Sequence, residues 1–361
     1  MITDLRSSTT GIEFAVDGDK RRLSWTWLRD HARDPASYLA SANQRLVTPT
    51  TIAAAGPGTA STDGLSVTIC WPQGPTAEFD QAFLATLGDQ RDATAVGPSP
   101  VAWTGDEMTR RIVRVAVDEV IDSDHGLRRT IDHLWVDGVV VIAGVPTDRA
   151  ATRRVLERFG YIRSTIFGDL WEFSSDGGFD DTASTPLEIT PHTDGTYSHD
   201  APGLLGLHCH VYEAIGGENV FVDAHALTER LDPTTRSILQ AVEIPGQYIG
   251  DGAHLMARRP VLRCERDRLV QVSYNHHDRA PFVLPEPAMS ELFAALHEFD
   301  ALANDPDLQF ELELRPGDMV IFDNWRVLHG RRAFRGERLL AGGYINREDV
   351  ESTTRRLAVD A

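Results

Sequence analysis

Two short segments decide how this chain is interpreted: His192-Thr193-Asp194 and Asn324-Trp325-Arg326-Val327-Leu328-His329-Gly330. In an extended segment, residues i and i+2 point to the same side, so His192 and Asp194 can reach one ion while Thr193 points away. His329 must then come from a strand that returns beside them. The two segments together predict a metal site made by His192, Asp194 and His329.

The composition of this ligand set indicates a class of chemistry. Two imidazoles and one carboxylate form the 2-His-1-carboxylate face on which non-haem Fe(II) oxygenases keep metal positions open. The other histidine pairs fit less well. His208 and His210 lie two apart on an apolar strand without a carboxylate between them, which favours a structural or supporting role. His276 and His277 are adjacent and face opposite sides of a strand.

Composition and charge exclude several classes of protein. The 361 residues are 42% hydrophobic and 25% charged, as in ordinary globular proteins. No apolar run approaches the roughly 18 residues of a membrane span, and residues 1–10 contain no apolar signal region, so we expect a cytoplasmic protein. The net charge of −19 opposes binding to nucleic acid or anionic membranes. It suits a cationic small molecule, although solubility alone also explains an acidic surface.

The first part of the chain is predicted to be a small β-rich domain, residues 1–105. Apolar residues alternate on both sides of the turn Asp17-Gly18-Asp19, which predicts a hairpin whose inward side chains are Ile12, Phe14, Val16, Leu23, Trp25 and Trp27. The segment Gly97-Pro98-Ser99-Pro100 is the expected boundary.

The remainder, residues 106–361, begins with helical patterns such as Leu127, Ile131 and Leu134. Strands then dominate, at 204–212, 219–222, 269–274, 309–314, 318–322 and 339–344. Helices followed by a run of mostly antiparallel strands predict an α+β fold, a double-stranded β-helix (jelly roll) with flanking helices.

Several separated motifs, in a fixed order, resemble the trimethyllysine and γ-butyrobetaine dioxygenases of the TauD-like superfamily. These motifs are Phe167-Gly168-Asp169-Leu170-Trp171-Glu172-Phe173, His192-Thr193-Asp194-Gly195-Thr196-Tyr197, Gly216-Gly217-Glu218-Asn219-Val220-Phe221-Val222-Asp223, Tyr274-Asn275-His276-His277-Asp278-Arg279 and Phe322-Asp323-Asn324-Trp325-Arg326-Val327-Leu328-His329-Gly330-Arg331. The resemblance implies an Fe(II)- and 2-oxoglutarate-dependent dioxygenase that uses O2, hydroxylates an aliphatic C–H bond and releases succinate and CO2. It also implies that His192, Asp194 and His329 bind the iron.

The resemblance also implies a site for the co-substrate. The distal carboxylate of 2-oxoglutarate needs a fixed cation, best supplied by a forked guanidinium. Arg338 lies nine residues beyond His329, where the family has its carboxylate-binding arginine, and Arg331 and Arg332 are competitors. Asn219 stands where relatives often carry a hydroxyl residue that helps to hold the co-substrate, and its amide can still donate a hydrogen bond.

Substrate residues follow from the same comparison. Relatives hold a quaternary ammonium in an aromatic cage, which cation–π attraction favours. Trp171 and Tyr344 match cage positions and Phe167 stands where a tyrosine is usual, although plain core packing also explains Phe167 and Trp171. Ser184 replaces an aromatic residue. Further candidate substrate contacts are an acidic residue for an ammonium group and two residues for an anionic end, namely Asp181, Asn275 and Arg279. We therefore expect a small zwitterionic amine or betaine.

Other outcomes stay open at the level of sequence. The same oxidant serves desaturation, cyclisation or hydroxylation of an aminophosphonate, and a non-catalytic jelly roll could hold a metabolite instead. Animal relatives bind zinc through cysteines after the motif Trp27-Leu28-Arg29-Asp30-His31, where this chain has Ala32 and Ser37, so we expect no structural zinc. Relatives are often dimers, which makes a homodimer an expectation from resemblance alone.

Overall fold

The computed structural model describes residues 1–54, 56–87, 96–174, 185–250 and 252–359. The chain divides into two units, Met1–Ala95 and Val96–Ala361. No helix in the part of the chain that is described is both long and apolar enough to span a membrane.

The first unit is built from short antiparallel sheets, with the strand orders β1-β2-β3, β4-β5 and β6-β7-β8. Its elements are β1 (Ile2–Ser7), β2 (Gly11–Val16), β3 (Asp19–Ser24), α1 (Trp25–Asp30), β4 (Tyr38–Leu39), a 3-10 turn (Ala40–Ala42), β5 (Gln44–Arg45), α2 (Pro49–Ala54), β6 (Thr59–Thr62), β7 (Ser66–Cys70), β8 (Thr76–Asp80) and α3 (Gln81–Ala85).

The predicted hairpin of the first unit is present, but its second strand is shorter than expected. Strands β2 and β3 pair from Val16 opposite Asp19 to Gly11 opposite Ser24. The Ser24 side chain then accepts a hydrogen bond from the Trp27 amide, which is the usual cap of a helix N-terminus. The prediction that Trp25 and Trp27 continue the strand is therefore wrong, because the cap turns them into helix α1.

The second unit contains the remaining elements in the order α4 (Gly105–Arg111), β9 (Arg114–Ala116), α5 (Val117–Ile121), α6 (Asp124–Asp137), β10 (Val139–Ala143), α7 (Arg149–Phe159), β11 (Ile162–Arg163), β12 (Trp171–Ser174), β13 (Ile189–His192), β14 (Leu204–Gly216), β15 (Asn219–Asp223), α8 (Ala224–Arg230), α9 (Pro233–Ala241), β16 (Glu243–Gly250), β17 (Ala253–Pro260), β18 (Leu262–Glu265), β19 (Arg268–Val272), α10 (Ala288–Ala303), β20 (Gln309–Leu312), β21 (Met319–Asp323), β22 (Val327–Arg331), β23 (Phe334–Ile345) and α11 (Arg347–Val359).

Two sheets face each other and form the double-stranded β-helix. The larger sheet has the order β11-β23-β14-β21-β10-β9, with β12 added on β23, and the smaller one has the order β13-β22-β15-β20. Phe221 of the smaller sheet packs against Phe322 of the larger sheet with ring centroids 5.2 Å apart. The predicted α+β jelly roll is confirmed.

Helices cover the outer face of the larger sheet because strand β10 is apolar on both sides. Val139 and Val141 point into the core between the sheets, whereas Val140 and Ile142 pack against the helices. Helix α6 supplies much of that cover: Ser123 caps its first turn, and Gly138 ends it with a positive φ of 75°. This helix carries the apolar spacing that was predicted from the sequence.

The turn between β21 and β22 is anchored before it delivers His329. Arg326 donates to both carboxylate oxygens of Asp223 at 2.9 Å, and the two side chains are 6% and 0% exposed. Trp325, the preceding residue of the turn, donates its indole N–H to the carbonyl of Ala201. A buried bidentate pair of this kind fixes the path of the turn, since loss of either partner would leave an unpaired buried charge.

Candidate active site

The three predicted ligands come together because their strands are neighbours. His192 ends strand β13 and lies directly opposite His329 of the antiparallel strand β22. The chain bends after His192, and Asp194 places its Oδ1 atom 3.4 Å from Nε2 of His192 and 3.6 Å from Nε2 of His329. Thr193 points away, where its hydroxyl accepts a hydrogen bond from the amide of Tyr274.

The arrangement fits a metal ion. The candidate ligand atoms of His192, Asp194 and His329 all lie within 4.8 Å of one another. Ligands about 2.1 Å from a metal and at right angles to each other are about 3.0 Å apart, so the distances of 3.4 Å and 3.6 Å from Oδ1 of Asp194 to the two imidazoles need little adjustment. Nδ1 of His192 lies 3.0 Å from the Thr190 carbonyl, which can only accept. Nδ1 is therefore the protonated nitrogen, and the lone pair of Nε2 faces the site.

Burial and charges in the site favour the protonation states that a metal requires of Asp194 and His329. Burial opposes ionisation of Asp194, but the two histidines and a hydrogen bond from Tyr344 outweigh it and lower the pKa of the carboxyl group. Burial lowers the pKa of His329 to about 3, and the charge of Asp194 only partly opposes this. Burial also opposes protonation of His192, yet its contacts with Asp194 raise its pKa. The result is an anionic carboxylate beside a neutral His329 imidazole, and His192 would release any proton on Nε2 when a metal binds.

Two further side chains hold Asp194. Asn324 accepts a hydrogen bond from the Asp194 amide at 2.9 Å and donates from Nδ2 to the Asp194 carbonyl at 3.1 Å and the Pro202 carbonyl at 2.9 Å. Asn324 is 1% exposed. Tyr344 donates its hydroxyl to Oδ2 of Asp194 at 2.7 Å. The main chain and the carboxylate of Asp194 are thus fixed separately.

Arg338 has the features of an anion-binding residue. It is 5% exposed, and its guanidinium donates to Oδ1 of Asn219 at 3.1 Å. Within the described ranges, its Nε has no hydrogen-bond partner and no carboxylate lies within ion-pair distance of it. Burial lowers the pKa of Arg338 to about 10, so it remains cationic at neutral pH. A buried cation without a paired anion fits the distal carboxylate of 2-oxoglutarate.

Asn219 contacts Arg338 and also uses one of its two amide hydrogens within the protein. Its Nδ2 donates to the Leu312 carbonyl at 3.3 Å, and its oxygen receives the guanidinium. The competitors are placed differently. Arg331 lines the same cavity and donates to the carbonyls of Thr185 and Leu187, whereas Arg332 forms ion pairs with Glu188 and Glu311.

A cavity of about 330 Å³ joins the candidate metal site to Arg338. Of the predicted site residues, it is lined by His192, Asp194, His329, Arg338, Asn219, Phe167, Trp171, Asn275 and Tyr344. Arg279 is not among the lining residues: its guanidinium lies 5.2 Å from the ring of Phe293 and borders a separate cavity of about 30 Å³. Asp181 and Ser184 lie outside the described residues.

Aromatic rings form two groups in the cavity wall. Trp171 lies 5.6 Å from Tyr344, and it is also part of the buried core with 3% exposure. Tyr248 lies 5.7 Å from Phe167 and 5.3 Å from Tyr197. A cationic group in the cavity would therefore lie among aromatic rings.

Several lining residues were not predicted from the sequence. Gln247 and Tyr248 belong to the hairpin β16–β17, whose strands pair from Glu243 opposite Pro260 to Gly250 opposite Ala253. The dipeptide Asp251-Gly252 is a typical hairpin signal in the sequence, but Pro245 and Gly246 weaken the strand pattern. Asp278 also lines the cavity and accepts a hydrogen bond from Asn275 at 2.8 Å.

Comparisons with known proteins agree with this geometry. The sequence model of the family described as taurine catabolism dioxygenase TauD, TfdA family, matches residues 100–344. The chain is 30% identical over 352 residues to the mitochondrial trimethyllysine dioxygenase of Homo sapiens, which covers 94% of this chain and 84% of that protein. The corresponding protein of Gallus gallus is 31% identical over 353 residues, with the same coverage of 94% and 84%.

A solved structure of a taurine dioxygenase from Burkholderia xenovorans shares the fold. It aligns with 70% of this chain and 90% of its own, with a TM-score of 0.53 and 16% identity. The family match spans both segments that supply His192, Asp194 and His329, and the site has the donors that such enzymes need. The chain belongs to the TauD/TfdA family, and it is a dioxygenase that uses Fe(II) and 2-oxoglutarate.

Proposed function

We propose that the protein hydroxylates an aliphatic C–H bond of a small zwitterionic amine or betaine, with release of succinate and CO2. The observation that carries the proposal is one cavity that combines the candidate metal ligands, aromatic walls and the buried Arg338 guanidinium, which pairs with no carboxylate of the described residues. The relatives named above are trimethyllysine dioxygenases, which supports a substrate of related chemistry.

Different residues of the cavity would have different roles in the reaction. His192, Asp194 and His329 would hold Fe(II), and Arg338 would bind the distal carboxylate of 2-oxoglutarate, with Asn219 orienting the guanidinium. Iron with 2-oxoglutarate and O2 supplies an oxidant strong enough for an unactivated C–H bond. The protein contributes position and exclusion of water. Water is excluded by apolar side chains of the cavity wall, namely Ile189, Leu205, Leu207 and Leu340.

The cavity also offers contacts to both ends of a zwitterion. Ring faces of Trp171, Tyr344 and Tyr248 attract a methylated ammonium. Asp278 presents a carboxylate for a second ammonium group, and Asn275 beside it can bond to an anionic or polar end. Ser184 stands in the sequence where relatives carry an aromatic residue, so we propose a substrate less methylated than trimethyllysine. The cytoplasmic location and the homodimer remain predictions.

The test is a substrate panel read by succinate release and by product mass. It contains ω-amino acids with zero to three N-methyl groups and, as a matched control, the tert-butyl isostere of the trimethylammonium compound. Loss of the positive charge should lower kcat/KM about tenfold, since a desolvated cation–π contact contributes about 1–2 kcal/mol. A gain of one oxygen atom identifies hydroxylation, whereas a loss of two hydrogens identifies desaturation. Turnover confined to uncharged compounds would contradict the proposal.

Asp278→Asn is the matched protein variant, because it removes a charge and keeps the shape of the side chain. It should raise KM about tenfold for substrates with a primary ammonium and leave the KM of the deaminated analogue unchanged. Equal effects on both substrates would contradict an ammonium contact. Ligand binding without succinate release across the whole panel would indicate a metabolite-binding protein.

A further inference from the structure

The two oxygens of the Asp194 carboxylate have different environments. Oδ1 lies 3.4 Å and 3.6 Å from the Nε2 atoms of His192 and His329 and therefore faces the point where a metal fits. Oδ2 accepts a hydrogen bond from the hydroxyl of Tyr344 at 2.7 Å. The second oxygen is thus directed to a protein donor and away from the ion.

This difference affects how many metal positions remain open. A carboxylate can bind a metal through one oxygen or through both, and the second mode occupies an additional position. An enzyme of this class needs open positions for its co-substrate and for O2. A hydrogen bond to Oδ2 makes the second mode less favourable, because that bond would have to be broken before both oxygens could turn to the ion.

The position of the Tyr344 hydroxyl is set by the sheet. Tyr344 lies in β23, opposite Leu205 of β14 on one side and Arg163 of β11 on the other. Its ring is 8% exposed and packs against Trp171 at 5.6 Å. Strand pairing fixes the Tyr344 main chain, and burial and packing restrict its ring, so the hydroxyl is held beside Asp194.

We propose that Tyr344 is a positioning residue that keeps Asp194 a one-oxygen metal ligand. Its ring was predicted as part of a substrate cage, but the hydroxyl has a role that phenylalanine at this position could not fulfil. The proposal concerns the metal site and is independent of the substrate. Its test therefore uses no amine, and failure of the substrate proposal would leave it intact.

The test compares Tyr344→Phe with wild type in metal-free protein titrated with Co(II). Dissociation constants are measured by chelator competition, and d–d absorption spectra are recorded with and without 2-oxoglutarate. The variant should bind Co(II) about tenfold or more weakly, as expected for loss of a side chain that orients a ligand. The Co(II) spectrum should also change, because the carboxylate gains freedom to bind through both oxygens.

Two control variants separate the hydroxyl from general effects. Tyr212→Phe removes the same atom from a tyrosine of β14 whose hydroxyl donates to the Gly216 carbonyl, and it should keep Co(II) affinity within about twofold of wild type. Ile345→Val disturbs the packing of the next residue of β23, whose buried side chain belongs to the core under the helices, but retains the Tyr344 hydroxyl, so it should leave the Co(II) spectrum unchanged.

Wild-type affinity and spectrum in Tyr344→Phe would overturn the proposal, as would an equal loss in Ile345→Val. Urea midpoints of the metal-free proteins are measured in parallel. If Tyr344→Phe fails to fold, Tyr344→Leu, which also lacks the hydroxyl, is subjected to the same two measurements and the same criteria.

Discussion

Replacement of Arg338 by methionine tests the co-substrate site. Methionine keeps much of the apolar length of the side chain and removes the charge. Arg338 is 5% exposed, and its guanidinium is paired with no carboxylate among the residues described. The incoming carboxylate of 2-oxoglutarate would therefore be its principal anionic partner. Loss of one partner of such a buried pair costs about 3 kcal/mol, which is about 100-fold in Kd.

The assay is calorimetric titration of the anaerobic, Fe(II)-loaded protein with 2-oxoglutarate. Arg338→Lys keeps the charge but not the forked geometry and should weaken binding about tenfold. 2-Oxobutyrate lacks the distal carboxylate, so its Kd should be the same for wild type and Arg338→Met. This ligand comparison isolates the carboxylate contact from any general disturbance of the metal site.

Arg332→Met is the matched control for the Arg338 variants. Arg332 forms ion pairs with Glu188 and Glu311 and is absent from the lining of the cavity. This variant should change the Kd for 2-oxoglutarate by less than about twofold. The reasoning is refuted if Arg338→Met binds 2-oxoglutarate as wild type does, or if Arg332→Met weakens binding by the same factor.

Two further variants test other parts of the unit. Asn324→Ala removes the hydrogen bonds to the Asp194 main chain and should weaken Co(II) binding by about tenfold. Trp325→Phe loses a hydrogen bond from the same turn and should leave Co(II) binding unchanged. Equal losses in the two variants would indicate general destabilisation. Burial of His208 lowers its pKa from 6.5 to about 4, so the folded protein favours the neutral imidazole. The preference stabilises the folded protein above pH 6.5, and this stabilisation is lost as the pH falls towards 4. Urea unfolding of the metal-free protein tests this. Between pH 7 and pH 4 the free energy of unfolding should fall by about 3 kcal/mol less in His208→Gln than in wild type. Parallel pH profiles of the two proteins would exclude His208 as the source.

The site could be predicted from the sequence where local pattern determines geometry. His192 and Asp194 are two residues apart, and a jelly roll pairs their strand with the one that carries His329, so the three groups meet. The strands predicted at 204–212 and 318–322 are also present, because their apolar residues are buried on both faces of the larger sheet.

Other features depend on contacts between distant segments. Nothing in the sequence near Tyr344 indicates that its hydroxyl reaches Asp194, since Tyr344 lies in the larger sheet and Asp194 follows strand β13 of the smaller one. Arg279 lies in a motif shared with relatives, yet its guanidinium packs on Phe293 of helix α10 and borders a different cavity. Sequence order alone does not fix the direction of such a side chain.

The N-terminal unit shows a similar limit. Trp25 and Trp27 alternate as strand residues do, but the Ser24 cap starts a helix there. Ser37 lies where animal relatives are expected to have a zinc-binding cysteine, and its hydroxyl accepts a hydrogen bond from Arg29 at 2.7 Å. The prediction that this unit binds no zinc awaits a metal analysis.

The most direct measurement is an anaerobic Fe(II) titration of the metal-free protein in the presence of 2-oxoglutarate, for wild type, His329→Ala and His210→Ala. His210 contacts Thr152 and His208, away from the candidate ligands, and serves as the matched histidine control. Wild type and His210→Ala should each bind one Fe(II) per chain, and His329→Ala should bind at least about 100-fold more weakly. Retention of wild-type Fe(II) affinity in His329→Ala would contradict a metal centre formed by His192, Asp194 and His329.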